Sequence, residues 1–223
     1  MKKNRETRFS GTLNVCALVF PGAQVESNPA KNSTPIRIKR EIACANSIWN
    51  KKIDGKQLGI KFNLLKTIIF EQRINGIDVN SEKIAMKQRK LDKNGKLLLT
   101  LAKKFCAEAD VYLYYMNGER IGSMQQDGAR VLAITYIDYP IIILSNGARL
   151  NDFILAHELG HFLFNNNRYG DYADPNPILG DLAHNVSPAN LMYPTGMHWP
   201  KPPNMPAIMP EQIKKALENK YLR

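Results

Sequence analysis

The chain has 223 residues, 44% of them hydrophobic and 23% charged, which suits one compact domain or one divided by a cleft and excludes collagen-like, low-complexity and wholly disordered readings. Its net charge of +11 is regional: residues 1–110 hold 22 Lys and Arg against 10 Asp and Glu, while residues 111–223 hold 9 against 10. A basic half invites a nucleic-acid reading, yet there is no zinc-finger cysteine spacing and no aromatic platform interleaved with basic residues, so nucleic-acid binding is not expected.

Three cysteines (Cys16, Cys44, Cys106), far apart and odd in number, do not make a disulfide framework. No apolar run reaches the roughly 18–20 residues of a membrane span. Residues 13–20 follow Lys2, Lys3, Arg5 and Arg8 in the manner of a short signal-peptide core. Asn14 and Cys16 interrupt that run, and Pro21 stands where cleavage wants a small residue. Residues 12–20 are therefore read as the first β-strand, and the expected location is the cytoplasm or export by a dedicated secretion route.

Residues 21–35, rich in Pro, Asn, Ser and Gly, form a loop. Ile38, Ile42, Ala45 and Trp49, three to four apart, mark a helix over 36–52. Gly55 and Gly59 punctuate it, and the β-branched and aromatic run at 60–70 is a strand. Residues 71–96 are polar and strongly basic from Lys83 to Lys96, with Asn94-Gly95 as a turn signal, and are the expected insertion or mobile surface. Leu98, Leu101, Ala102 and Phe105 share one face of a helix over 97–107, and 111–116 is a strand. Further strands follow at 129–136, expected at the sheet edge, and at 141–144, fully apolar and so central. Asn151 or Asp152 caps a helix that runs to about Phe164. Periodicity then disappears from 165 to 210, where nine of the 13 prolines gather. A last amphipathic helix runs from Pro210 or Glu211 to about Tyr221. The fold class is α+β: a mixed twisted sheet with packed helices. Residues 1–166 form a sheet-and-helix subdomain, and residues 167–223 a small irregular C-terminal subdomain ending in a helix.

His157-Glu158-Leu159-Gly160-His161 places two histidines four apart on one helical face, where both imidazoles can meet one zinc ion. Glu158 then stands beside the metal, placed to act on a water rather than to bind. Phe153, Ile154, Ala156, Leu159, Leu163 and Phe164 give the helix the apolar surface that buries it.

On these residues, on Ala156–Phe164 (AHELGHFLF) and on Asn190–Pro194 (NLMYP), the chain resembles the metzincin clan of zinc peptidases, with its HExxHxxGxxH helix and Met-turn. Ala45–Trp49 (ANSIW) and Gly59–Phe62 (GIKF) also look like the early helix and strand of small bacterial members. The resemblance runs from about residue 12 to 196. It implies a metzincin-like fold, one catalytic Zn2+ and a monomeric endopeptidase that cuts a protein or peptide with Glu158 as general base and then acid. Two other readings stand beside it: an inactive protein-binding module, and a delivered toxin or effector peptidase whose basic half binds an anionic partner.

The sequence departs from the clan where its glycine and third histidine would fall, at Phe164 and Asn167. Phe does not take a positive φ at low cost, so the helix should continue to the Asn165-Asn166-Asn167 run and end there on a left-handed asparagine. The third ligand must then come later. His184, just upstream of the Met-turn, is the first choice; His198, Asn167, Asp171, Asp174 and Asp181 stay open, and Glu211 would give a thermolysin-like arrangement. The resemblance also puts Met192 beneath the metal as an apolar base. Tyr193 either packs or aims its phenol at a developing oxyanion.

Overall fold

The computed structural model describes residues 10–26, 34–53, 56–84, 90–123, 129–194, 199 and 204–223, with backbone alone at 51–53 and 56–58. In chain order they form β1 (Ser10–Val19), α1 (Ile36–Trp49), β2 (Asn50–Ile53), β3 (Lys56–Ile69), α2 (Lys93–Phe105), β4 (Val111–Tyr115), β5 (Ala133–Thr135), β6 (Ile141–Leu144), α3 (Phe153–Asn165), a hairpin of β7 (Pro177–Ile178) and β8 (Asp181–Asn185), and α4 (Pro210–Ala216).

The six-stranded sheet has the order β2-β3-β1-β4-β6-β5. β3, β1, β4 and β6 run parallel, and antiparallel β2 and β5 close the two ends. Side chains alternate across a strand, so β1 sends Leu13, Val15, Ala17 and Val19 into a core with α1 and α3. Cys16, Leu18 and Phe20 go to the opposite face, into a core with α2. Burial on both faces explains why β4 and β6 are apolar at every position. β6 lies inside the sheet, as its unbroken apolar run predicts, and β5, at the edge, is shorter than the strand expected over 129–136.

Several boundaries differ from the sequence reading. α1 stops at Trp49, and residues 50–53 turn into β2. Gly59 permits this: its φ is +111°, and a Cβ there would strike the Trp49 carbonyl oxygen. Asn94-Gly95 is not a turn but the first turn of α2, because Asp92 Oδ1 accepts the Gly95 N–H at 2.7 Å as an N-cap. Residues 85–89 of the basic segment lie outside the described residues. α4 ends at Ala216, short of Tyr221, because the chain leaves the helix to carry Asn219 to the end of α3.

α1 is fixed to the sheet by a buried ionic cluster. Arg37 Nε meets Glu41 Oε1 at 2.7 Å, its other nitrogens donate to the Gln24 and Ser145 carbonyls, and Tyr115 Oη donates to Glu41 Oε2 at 2.8 Å. Both charged side chains are 1% exposed. Removing one partner strands the other charge in the core. Glu41→Ala should cost about 3–5 kcal/mol in urea unfolding; a loss below about 1 kcal/mol would show that the pair does not hold α1.

Candidate metal centre

α3 is apolar around most of its circumference because it is a core helix, buried from Leu155 to Gly160. Its start is set by Asn151, whose Oδ1 accepts the Phe153 N–H at 3.0 Å, while the Asp152 carboxylate is held by Arg40 Nε at 2.6 Å. As the missing glycine implies, the helix passes through Phe164 and ends at Asn165. The expected left-handed asparagine is absent: Asn166 has φ −109°. Distant groups cap the helix instead. Asn219 Nδ2 donates to the Phe162 and Leu163 carbonyls, and Asn166 Nδ2 adds a bond to Phe162.

Three imidazoles, one buried and two half-buried, meet on one face of this helix. One ring nitrogen from each of His157, His161 and His184 lies within 4.8 Å of the others. His157 Nε2 and His161 Nε2 are 2.9 Å apart. The second nitrogens of two rings are committed: His157 Nδ1 to the Leu191 carbonyl at 2.7 Å, His184 Nδ1 to Asp181 Oδ2 at 2.7 Å. A carbonyl or carboxylate at Nδ1 puts the proton there and leaves Nε2 as a lone pair. Bare nitrogens thus converge on one point, a donor set that fits a metal ion taking imidazole ligands. Burial lowers the pKa of His157 to about 4 and depresses that of His161 as well, which keeps both rings neutral and able to ligate.

His184 reaches the helix because β8 is fixed from both sides. Asp174 is 2% exposed, and its carboxylate accepts from Asn176 N, Asn185 Nδ2 and Gln212 Nε2 at 2.6–2.8 Å. Gln212 also exchanges hydrogen bonds with Asn190 and accepts the Met209 N–H. This network joins the strand carrying His184, the turn at 190–193 and α4. In that turn Asn190 Oδ1 accepts the Met192 N–H, and the Met192 carbonyl accepts from Asn185 N. Tyr193 is half-buried, with its N–H on the Asn190 carbonyl.

Met192 packs under the ligand helix. A Cβ at Gly160 would strike its Sδ and press on the Trp49 ring, so the glycine between the histidines is a packing requirement. Trp49 completes that floor, donating Nε1–H to the Ala156 carbonyl at 3.0 Å. Trp199 lies 5.3 Å from His157 between ring centroids, and its buried Nε1 has no hydrogen-bond partner among the described residues.

Glu158 is 7% exposed, and the hydroxyl of Thr135 on β5 lies 2.6 Å from its Oε2 and 2.9 Å from its carbonyl oxygen. Burial pushes its carboxyl up to about 7, with the Thr135 hydrogen bond opposing. The remaining sequence candidates are engaged elsewhere. Asn167 bonds Glu218 Oε2 and the Tyr169 N–H, Asp171 pairs with Lys215 at 2.8 Å, and Glu211 is exposed on the first turn of α4. Asp174 and Asp181 hold partners of their own, and His198 lies outside the described residues. Thr135, Trp49, Trp199 and Gln212 were not singled out from sequence for this site, and Asp174, weighed there as a ligand, instead holds the strand that carries His184. Asp181 was weighed as a ligand and instead orients the His184 ring; its place three residues before His184 was the available signal.

No protein-family model matches the chain, and no curated protein matches it by sequence. Among solved structures, the fold is similar to metalloproteinase-II from Bacteroides fragilis, at 14% identity over 96% of this chain, with a TM-score of 0.53. The chain spans 54% of that protein's length. Archaemetzincin from Methanopyrus kandleri aligns with 96% of each chain at 14% identity and a TM-score of 0.44. The fold is thus one found in a metalloproteinase.

Two outcomes are expected. Gly160→Ala should destabilise the chain by about 1–3 kcal/mol through overpacking against Met192, read as a lowered thermal midpoint. In metal-free protein, Glu158 titrates near 7 folded and 4.5 unfolded, so its burial costs stability above pH 7 and nothing below about 4.5. Glu158→Gln should therefore unfold later than wild type by about 3 kcal/mol at pH 8, with the gap closing by pH 4. A pH-independent gap would refute the assignment.

Proposed function

We propose that this chain is a metzincin-like zinc endopeptidase, with His157, His161 and His184 holding one Zn2+ and Glu158 as general base and acid. The observation that carries this reading is the convergence of three imidazole donors beside a buried carboxylate. The shared fold with a metalloproteinase and the HELGH and NLMYP motifs support it. Zn2+ so held supplies Lewis-acid chemistry, making water acidic near neutral pH and polarising a peptide carbonyl.

The chain's own groups do the rest. Thr135 occupies Oε2 of Glu158, which leaves Oε1 to take a proton from the attacking water and deliver it to the departing amine. β5 supplies the substrate rail. Ser145 N and Tyr136 N bond across to Leu132 and Ile141, so alternation turns the N–H and C=O of Ala133 and Thr135 away from β6 beside Glu158; both residues are buried, so an extended peptide pairs there once this edge opens. Met192 and Trp49 keep the two helical ligands on a dry, rigid floor. No covalent intermediate with the protein is required.

Zinc content and cleavage of a peptide library by three variants test this. Glu158→Ala should keep about one zinc per chain and lose cleavage by about 100-fold or more. His184→Ala should lose zinc, while Asn167→Ala should keep it. Full cleavage by Glu158→Ala would remove the peptidase reading, and full zinc in His184→Ala would remove the third ligand.

A further inference from the structure

β3 is the longest strand, at 14 residues, and its outer edge is treated unevenly. β2 covers residues 56–59 alone. At Phe62 the side chain of Asn46 on α1 replaces a neighbouring strand: its Oδ1 accepts the Phe62 N–H at 2.8 Å and its Nδ2 donates to the Phe62 carbonyl at 3.0 Å. Past the bulge at Leu65, where Val15 faces Leu64 and Cys16 faces Lys66, this covering ends. Phe70 N donates to the Val19 carbonyl, so strand alternation points the N–H and C=O of Thr67 and Ile69 away from the sheet. No described residue bonds them.

The surface around this open stretch is apolar and basic. Leu65, Ile69 and Phe105 are exposed, and Phe105 packs edge-on against Phe70 at 5.6 Å. Lys66 Nζ reaches the Phe105 carbonyl at 3.4 Å, and Lys104 Nζ lies 6.0 Å from the Phe105 ring. Lys103 is exposed on the same helical turn. Among the described residues none of these three lysines forms an ion pair. Lysines and a bulge protect an edge from aggregation. Here, however, the lysines flank exposed apolar side chains on a stretch whose main chain lacks the covering given to Phe62.

We propose that the outer edge of β3 at residues 66–69 docks an extended acidic segment of a partner protein as an added strand. The segment's backbone meets Thr67 and Ile69; on the α2 face its carboxylates meet Lys66, Lys103 and Lys104 beside Phe105, and on the opposite face its apolar side chains lie on Ile69. A second copy of this chain would set lysines against lysines. A nucleic acid would use the charges but leave the row of N–H and C=O groups unmet. The surface lies at the opposite end of the sheet from β5 and is independent of the metal centre.

A fluorescein-labelled 12-residue peptide of alternating Glu and Val tests this by anisotropy on the full chain, with amide exchange as the locator. The peptide should bind saturably and slow exchange at Thr67 and Ile69. Substituting Gln for Glu in the peptide, or N-methylating alternate residues, should each weaken binding about tenfold or more. The Lys66→Glu, Lys104→Glu pair should do the same, and Lys66→Gln, Lys104→Gln should weaken it less while the circular dichroism spectrum stays unchanged. The proposal is overturned by no saturable binding, by equal affinity for the N-methylated peptide, by a dimer in sedimentation that buries this edge, or by oligothymidine displacing the peptide at equal concentration.

Discussion

A single buried carboxylate ties the later part of the chain to the ligand helix. Asp174 accepts three hydrogen bonds from neutral donors, Asn176 N, Asn185 Nδ2 and Gln212 Nε2. A charge left bare at 2% exposure would cost far more than its bonds return, so the segments carrying these donors are held in one arrangement. The position of His184, of the turn at 190–193 and of α4 all follow from satisfying that one group. Asn190 and Gln212 extend the same logic, each filling the other's donor and acceptor.

From that turn the constraint passes to α3 by two routes. The Leu191 carbonyl fixes the His157 ring, and the Met192 sulfur fills the space left by Gly160. Ring orientation and helix position are thus set by consecutive residues of one turn. Thr135 links the same helix to the edge strand by bonding both the carboxylate and the carbonyl of Glu158. The edge strand, the Glu158 carboxylate and the histidine pair are held to one another through short, buried bonds, which is how a site keeps its geometry without help from a ligand.

How much of this was legible in the sequence depended on the range of the interaction. The apolar period of α1, α2 and α3 and the unbroken run at β6 are local signals, and those elements lie where the pattern put them. The HELGH spacing marked His157, Glu158 and His161, and Phe164 in place of glycine foretold the longer helix. The end of α3 failed because a long-range contact decides it, Asn219 replacing the expected left-handed asparagine; the start of α2 failed although its signal is local, Asp92 capping Gly95 three residues on. The β7–β8 hairpin carried no periodicity because its residues are fixed by polar bonds to Asp174 and Met192 rather than by an apolar face. Thr135 left no trace at all, since its role comes from sheet topology.

The capping of α3 by Asn219 bears on the order of assembly. Two histidines sit on one helix and need only local folding, but its last carbonyls wait for a residue more than 50 positions later. His184 likewise waits for Gln212. Such contacts carry the full loop-closure cost before they return anything, and they form late. The helix can therefore exist while the three-histidine cluster is incomplete, and loosening the C-terminal segment would part His184 from the helical pair and open the core to which Leu191, Met192, Ile208 and Ala216 belong, leaving the core on the α2 face in place.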